Sequence, residues 1–275
     1  MKGKVYLVGA GPGDPELITV KALRLLRTAD VVLHDDLVAP EVLELIPPDT
    51  QVQNVGKRCG SKAMRQEEIN FLLVTHATAG LQVVRLKSGD PLIFGRAGEE
   101  IEALRRSNIE YEIVPGVTSA LGAAAAAGIP LTHRRSSSTV VLTAGHRASE
   151  NDANWNRVAG DESTLVIYMP GHEHVGISSK LKGAGWAGET PCAIISRATT
   201  PHQRVYLTTI SDLDRAPRLA SPTLLVVGEV VKFADHGLVE GAGNLLEFEP
   251  GFAAALARRT DLAVETLRAD EEPLA

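Results

Sequence analysis

Four short apolar runs set the first constraint on the fold. Lys4–Val8, Val31–Leu33, Val52–Val55 and Val83–Leu86 each read as a buried strand. Each hands over to a loop carrying Gly, Asp, Lys or Arg, and helical patterns fill most of the spaces between them. Asp14 and Pro15 form a helix-start signal, and Leu17, Val20, Leu23 and Leu26 supply an apolar face as far as Thr28. Ile69, Leu72, Leu73 and His76 mark a second helix, and Ala97 to Arg106 a third. Tyr111–Val114 is a fifth strand. Strands alternating with helices predict a parallel α/β sheet, with the strand-end loops gathered on one edge.

The richest of those loops lies in RLKSGDPLIFGRAGEE, Arg85 to Glu100. Ser88-Gly89-Asp90-Pro91 is a turn at the carboxyl end of a strand, where open α/β sheets bind ligands. Glycine admits close approach to the backbone, and Asp90 brings a carboxylate. An ordinary strand-to-helix loop uses the same residue types, so the rest of the chain has to decide between the two readings.

Character changes at Pro115-Gly116, where a domain boundary is expected. Val117 to Ala127 reads as a helix, and Ala120 to Gly128 gives it a small-residue face suited to packing against a neighbour. Further strands are expected at Thr139–Thr143, Thr164–Tyr168, Ala193–Ser196, Val205–Thr208 and Thr223–Val227. The third and fourth of these are too close for a helical crossover, so the second sheet should be mixed. The expected layout is an α/β domain over 1–114, a second over 115–240, and a partly helical tail over 241–275, with helical periodicity from Phe252 to Leu267.

Bulk properties exclude several functions. The net charge of -6 argues against general affinity for nucleic acid or anionic membrane, so an anionic ligand must meet a local cluster of arginines. No apolar run reaches the ~20 residues a membrane span needs. Cys59 and Cys192 lack metal-ligand spacing, and two distant cysteines fit a reducing cytoplasm. His172 and His174 form an H-x-H without an evident third ligand, which reads as a solvated loop, and no metal is expected.

The glycine-rich Gly9 to Asp14 invites a dinucleotide reading and fits it badly. Asp14 stands where the fingerprint wants its third glycine, and Pro12 lacks the N–H that would face a pyrophosphate. A ligand without phosphates, and a cationic one, suits the loop better.

GAGPGD at Gly9 to Asp14, HDDLV at His34 to Val38, VGKR at Val55 to Arg58 and QEEIN at Gln66 to Asn70 resemble the tetrapyrrole methylase family. RLKSGDPLIFGRAGEE, PGVTSA at Pro115 to Ala120, GIPLTHR at Gly128 to Arg134, TLVIYM at Thr164 to Met169, PHQ at Pro201 to Gln203 and PTLLVVGEVV at Pro222 to Val231 extend the resemblance, in order, over most of the chain. It is similar above all to the branch that methylates uroporphyrinogen III.

The resemblance implies two α/β domains with the active site in the cleft between them, and S-adenosyl-L-methionine as methyl donor. Carried over by motif, the donor site would comprise Pro12, Ser88, Gly89, Asp90, Ile93, Thr118, Ser119, Met169 and Ala198. It further implies Asp35 as proton acceptor and Lys57 as proton donor, although Asp35 also suits a loop cap, and Lys57 a surface charge or a carboxylate partner. The implied acceptor, uroporphyrinogen III, carries eight carboxylates and would be methylated twice, through precorrin-1 to precorrin-2, for siroheme and cobalamin synthesis. Forked guanidinium groups suit such an acceptor. Arg58, Arg65, Arg96, Arg134 and Arg147 lie in or beside the motif loops, with Arg96 and Arg134 foremost.

Three positions depart from the family pattern: Ser88, Pro170 and Ala198 stand where glycines are usual, and altered donor affinity is expected from them. The chain has no room for a fused dehydrogenase-chelatase or synthase domain and is expected to stand alone, as a cytoplasmic homodimer. The alternatives are a relative acting on a later corrin intermediate, a nicotinamide-dependent dehydrogenase, and a non-catalytic tetrapyrrole carrier.

Overall fold

A computed structural model describes residues 2–56, 64–145, 162–171 and 174–235. Lys57, Arg58, Cys59, Arg147 and His172 lie outside the described residues, as does the tail with its expected helix. The described residues all fall within one compact unit.

The first sheet contains β1 (Lys4–Gly9), β2 (Val31–His34), β3 (Gln51–Asn54), β4 (Val83–Lys87) and β5 (Glu110–Val114). All its pairings are parallel, in the order β3-β2-β4-β1-β5. Both faces are covered, as a parallel sheet requires. On one face Val5, Leu33 and Val83 pack with Ile69 and Leu73 of α3 (Gln66–Thr78) and Leu104 of α4 (Ala97–Arg106). On the other, Val8, Val32, Val84 and Leu86 meet Ala22, Leu25 and Leu26 of α1 (Val20–Leu26) and Val42 of α2 (Pro40–Leu43).

The helix expected from Pro15 is interrupted. Asp14 caps a single 3-10 turn, Pro15–Leu17, by accepting from the Glu16 N–H at 2.8 Å. The chain then extends, and Thr19 caps α1 by accepting from the Ala22 N–H at 3.1 Å. Two caps in succession restart the helix and rotate its buried face, so Val20 is 86% exposed instead of facing the core.

The second sheet follows α5 (Ser119–Ala126) and runs β6 (Thr139–Ala144), β7 (Ser163–Tyr168), β10 (Thr223–Val227), β8 (Pro191–Ser196), β9 (Arg204–Thr209) in spatial order. Only the β6–β7 pair is parallel; β8 and β9 pair antiparallel, as their short connection requires. Ala120, Ala123 and Ala127 of the small-faced segment pack against Val166, Ile195 and Val226. The opposite face is covered by Ile177 and Leu181 of α6 (Val175–Gly183) together with Trp186. His174 is buried at the start of α6. The solvated loop expected there is therefore corrected at this position, because the helix it opens turns Ile177 and Leu181 into the core.

The glycines of the strand-end loops join backbone to backbone. Gly11 N–H donates to Gly89 O at 3.2 Å, and Gly89 N–H donates to Gly11 O at 2.8 Å. A Cβ on Gly9 would lie 2.6 Å from the Gly116 Cα, and one on Gly116 would overlap the Gly89 carbonyl. The ends of β1, β4 and β5 thus close on one another with no room for a side chain.

Beneath these loops lies a buried cluster of charges. β4 is the central strand, yet it carries Arg85 and Lys87, 2% and 1% exposed, on the face it turns to α3 and α4. Both meet the fully buried Glu100 of α4: Arg85 Nε donates at 3.0 Å, and Lys87 Nζ donates to the two carboxylate oxygens at 2.9 and 3.0 Å. Gln66 Nε2 adds a bond to Glu100 at 3.3 Å. The remaining Arg85 nitrogens donate to the Leu33 and Leu86 carbonyls and to the carboxylate of Asp35, in the loop after β2. Burial works against the charged form of Arg85, but Asp35 and Glu100 outweigh it and raise its pKa above the usual arginine range. Burial, then the neighbouring Arg85, pulls Lys87 below the usual lysine range against the attraction of Glu100.

Removing one partner of such a cluster leaves uncompensated buried charge. Glu100→Gln should therefore lower the unfolding free energy by about 3–5 kcal/mol in urea titrations. Gly116→Ala should cost about 1–3 kcal/mol in the same measurement, because the added methyl forces the three loops apart.

Candidate active site

The loops after β1, β2, β4 and β5 border a cavity whose other wall comes from the second sheet. All nine residues expected at a donor site line it: Pro12, Ser88, Gly89, Asp90, Ile93, Thr118, Ser119, Met169 and Ala198. Asp35 lines it as well. The structure therefore brings residues from distant motifs to one place.

Each wall is fixed by local physics. Asp90 uses both carboxylate oxygens structurally, accepting from Leu92 N–H at 2.8 Å and from Gly116 N–H at 3.1 Å. This ties the turn after β4 to the loop after β5. Tyr168, at the end of β7, sends its hydroxyl to Thr118 Oγ1 at 2.6 Å and accepts from Ala120 N–H at 3.1 Å. It thereby meets a free N–H in the first turn of α5. Burial raises the Tyr168 pKa, although the Thr118 and Ala120 contacts oppose it. Its ring packs on Phe94 with centroids 4.8 Å apart. Phe94 and Met169 both line the cavity with left-handed backbones, at φ 53° and 51°. Such strain in non-glycine residues is concentrated at ligand sites.

The loop after β1 also docks on the second sheet. Asp14 N–H donates to Thr199 Oγ1 at 3.1 Å, and a Cβ on Gly13 would lie 2.7 Å from Thr200 Cγ2. Gly122 of α5 fits against Pro12, where a Cβ would approach the ring to 2.6 Å. Ser88 and Ala198, two of the three departures from family glycines, both face the cavity.

The chemistry of the donor set can be judged from these bonds. A pyrophosphate cradle needs free backbone N–H groups and nearby cations. Here Ala10, Gly11 and Asp14 donate their N–H groups within the protein, and Pro12 has none to give. Among the described residues of the lining, the ionisable carboxylates are Asp35 and Asp90, and neither Lys nor Arg is present. Such a cavity suits a cationic, phosphate-free ligand, as the sequence suggested.

The expected acceptor-binding arginines are placed differently. Arg96 is exposed beside the cavity loop and forms a two-bond pair with Glu99, both at 2.7 Å. Arg65 is exposed at the start of α3, 3.8 Å from Glu68, and Arg134 is exposed in the loop before β6. None of the three lines the cavity. Sequence reasoning missed Arg85, Lys87, Glu100 and Tyr168. The signal was present for the first three: two cations inside a strand that had to be buried demand a buried acid. Among the described residues there is no metal-ligand cluster and no helix long and apolar enough to cross a membrane.

Comparison with known proteins agrees with this geometry. Residues 4–214 match the family model described as Tetrapyrrole (Corrin/Porphyrin) Methylases. Siroheme synthase 2 of Aeromonas hydrophila is 48% identical over 244 residues, 88% of this chain and 52% of that protein. The chain thus spans about half the length of such curated relatives. The structure of uroporphyrin-III C-methyltransferase from Thermus thermophilus, complexed with S-adenosyl homocysteine, superposes with a TM-score of 0.75 at 41% identity, covering 84% of this chain and 99% of that one. A cobalt precorrin-4 methyltransferase superposes with a TM-score of 0.73 at 32% identity, over 83% of this chain and 95% of that one. From the match over most of its length, the chain belongs to the tetrapyrrole methylase family.

Proposed function

We propose that this protein transfers methyl groups from S-adenosyl-L-methionine to carbon atoms of uroporphyrinogen III, twice, giving precorrin-2 through precorrin-1. The observation that carries the donor half is the cavity lined, among the described residues, by two carboxylates and no cation, with the N–H groups of Ala10, Gly11 and Asp14 already engaged. A sulfonium without phosphates meets that requirement. The neighbour of 41% identity that was crystallised with the demethylated donor supports the same reading.

The pyrrole carbons of the acceptor are already nucleophilic. The protein therefore has to hold carbon and methyl in line, which is catalysis by proximity and orientation. Met169 and Phe94 offer apolar surface at the cavity, 45% and 44% exposed, while Arg96 stands nearby for a carboxylate arm. In this reading Arg58, Arg65 and Arg134 receive further arms, and Lys57 serves as proton donor. Relatives at 48–50% identity named siroheme synthases support a place in siroheme synthesis, and cobalamin synthesis draws on the same product. The division into domains at Pro115, the homodimer and the cytoplasmic location belong to this reading too. Methylation of a later corrin intermediate is the alternative, and the lower identity to the cobalt precorrin-4 enzyme favours the early substrate.

Anaerobic incubation with both substrates should add two methyl groups to the macrocycle and release two equivalents of S-adenosyl homocysteine. Unchanged uroporphyrinogen III, with a later corrin methylated instead, would move the assignment to the alternative. Asp90→Ala should weaken donor binding in calorimetry by at least about tenfold, the worth of one hydrogen bond to a charged group. Donor affinity equal to that of the unmodified protein would remove the turn after β4 from the site.

A further inference from the structure

We propose that Gln203 is a positioning residue of the donor site, acting through Thr199 without touching the donor, a role that rests on the methyl-donor reading above. Gln203 closes the PHQ motif, and neither it nor Thr199 is among the residues that line the cavity.

Ala198, which does line the cavity, stands between two left-handed residues, Arg197 at φ 46° and Thr199 at φ 65°. Positive φ is unfavourable for residues other than glycine, and most of all for a β-branched one. Such a backbone persists only where its surroundings over-determine it. Gln203 supplies much of that constraint. Its Oε1 accepts from the Thr199 N–H at 2.7 Å, and its Nε2 donates to the Ala126 carbonyl at 3.1 Å. Only this orientation of the amide serves both partners, since one is a donor and the other an acceptor. Ala126 ends α5, and its carbonyl is among those a helix leaves unpaired at its last turn.

Thr199 passes the constraint on. Its Oγ1 accepts from the Asp14 N–H at 3.1 Å. On its other side lies Gly122 of α5, where a Cβ would come to 3.4 Å from the Thr199 Cγ2. Three pieces of chain therefore meet at one side chain, and each carries part of the cavity wall: Pro12 near Asp14, Thr118 and Ser119 at the head of α5, and Ala198 itself. Glycine at 199 would relax the backbone but would let go of the loop after β1. The strained threonine, locked by Gln203, keeps these walls at a fixed spacing. Sites of this kind lose affinity when a support outside them is removed, because a small displacement of the lining groups spoils their fit to the ligand.

Calorimetry with S-adenosyl homocysteine, read beside thermal unfolding and steady-state methyl transfer, tests the role. Gln203→Met keeps the length of the side chain and removes both hydrogen bonds. It should weaken S-adenosyl homocysteine binding by about tenfold, the scale of one hydrogen bond. The donor's Michaelis constant should rise by a similar factor and kcat should fall less, as expected when the lost interaction serves ground and transition state alike. Thr199→Gly removes the strain together with the hydroxyl, so its thermal midpoint should stay close to the unmodified value while its affinity falls about as far. Thr199→Ser, which restores the hydroxyl, should recover most of the affinity, and this pair of variants decides the matter if Gln203→Met does not fold. Gln203→Met should add little on top of Thr199→Gly, because the two residues act as one unit. Unmodified affinity in a folded Gln203→Met or in Thr199→Gly would overturn the proposal. So would losses of affinity that merely follow the thermal midpoint, or full additivity of the two substitutions. Failure of the unmodified protein to bind S-adenosyl homocysteine would instead remove the donor reading on which the proposal rests.

Discussion

The pairing of Arg85 and Lys87 with Glu100 is the constraint on which the first half of the molecule depends. A central parallel strand is expected to be apolar on both faces, and β4 is not. Its two cations are tolerable only because α4 brings a carboxylate into the same buried space. That requirement sets where α4 sits over the sheet, draws Gln66 of α3 into the same network and anchors the loop after β2 through Asp35. Replacing such a cluster with apolar residues is often neutral or stabilising in other proteins. Its value here therefore lies in what it orients, and the part of it that meets the cavity is Asp35.

Above that layer, glycine gives the loops their closeness. The double hydrogen bond between Gly11 and Gly89, and the contact of Gly9 with Gly116, let three strand ends meet. The same loop engages the second sheet through Asp14 and Thr199, and through Pro12 against Gly122. A glycine-rich turn is commonly read as a phosphate cradle. In this protein Ala10, Gly11 and Asp14 spend their N–H groups on backbone and side-chain partners, and the described lining of the cavity has carboxylates where a phosphate site would have cations. The preference for a sulfonium follows from how the loops are built.

Much of this was legible in the sequence. Period and punctuation located the strands, the close spacing of β8 and β9 implied a mixed second sheet, and Pro12 with Asp14 argued against a dinucleotide. The motif resemblance named nine residues as an expected donor site, and all nine line one cavity. What stayed hidden was tertiary. The helix start at Pro15 was a sound local signal, overridden when Thr19 offered a second cap. Arg85 and Lys87 lie inside the motif-rich segment from Arg85 to Glu100, but their partner is fixed by the crossing of α4 over β4, which no periodicity reveals. Tyr168 read as a strand residue because its hydroxyl acts on a helix start 48 residues away in the chain. Arg65 and Arg134, expected by motif to meet the acceptor, are exposed outside the cavity lining, a placement set by loop paths rather than by residue type.

A crystal structure of the protein soaked with S-adenosyl homocysteine should show the thioether ligand in the cavity, in contact with Pro12, Asp90 and Met169, with the Asp35–Arg85 pair intact beside it. A ligand bound away from that cavity, or an Asp35 carboxylate released from Arg85 when the cavity fills, would contradict it.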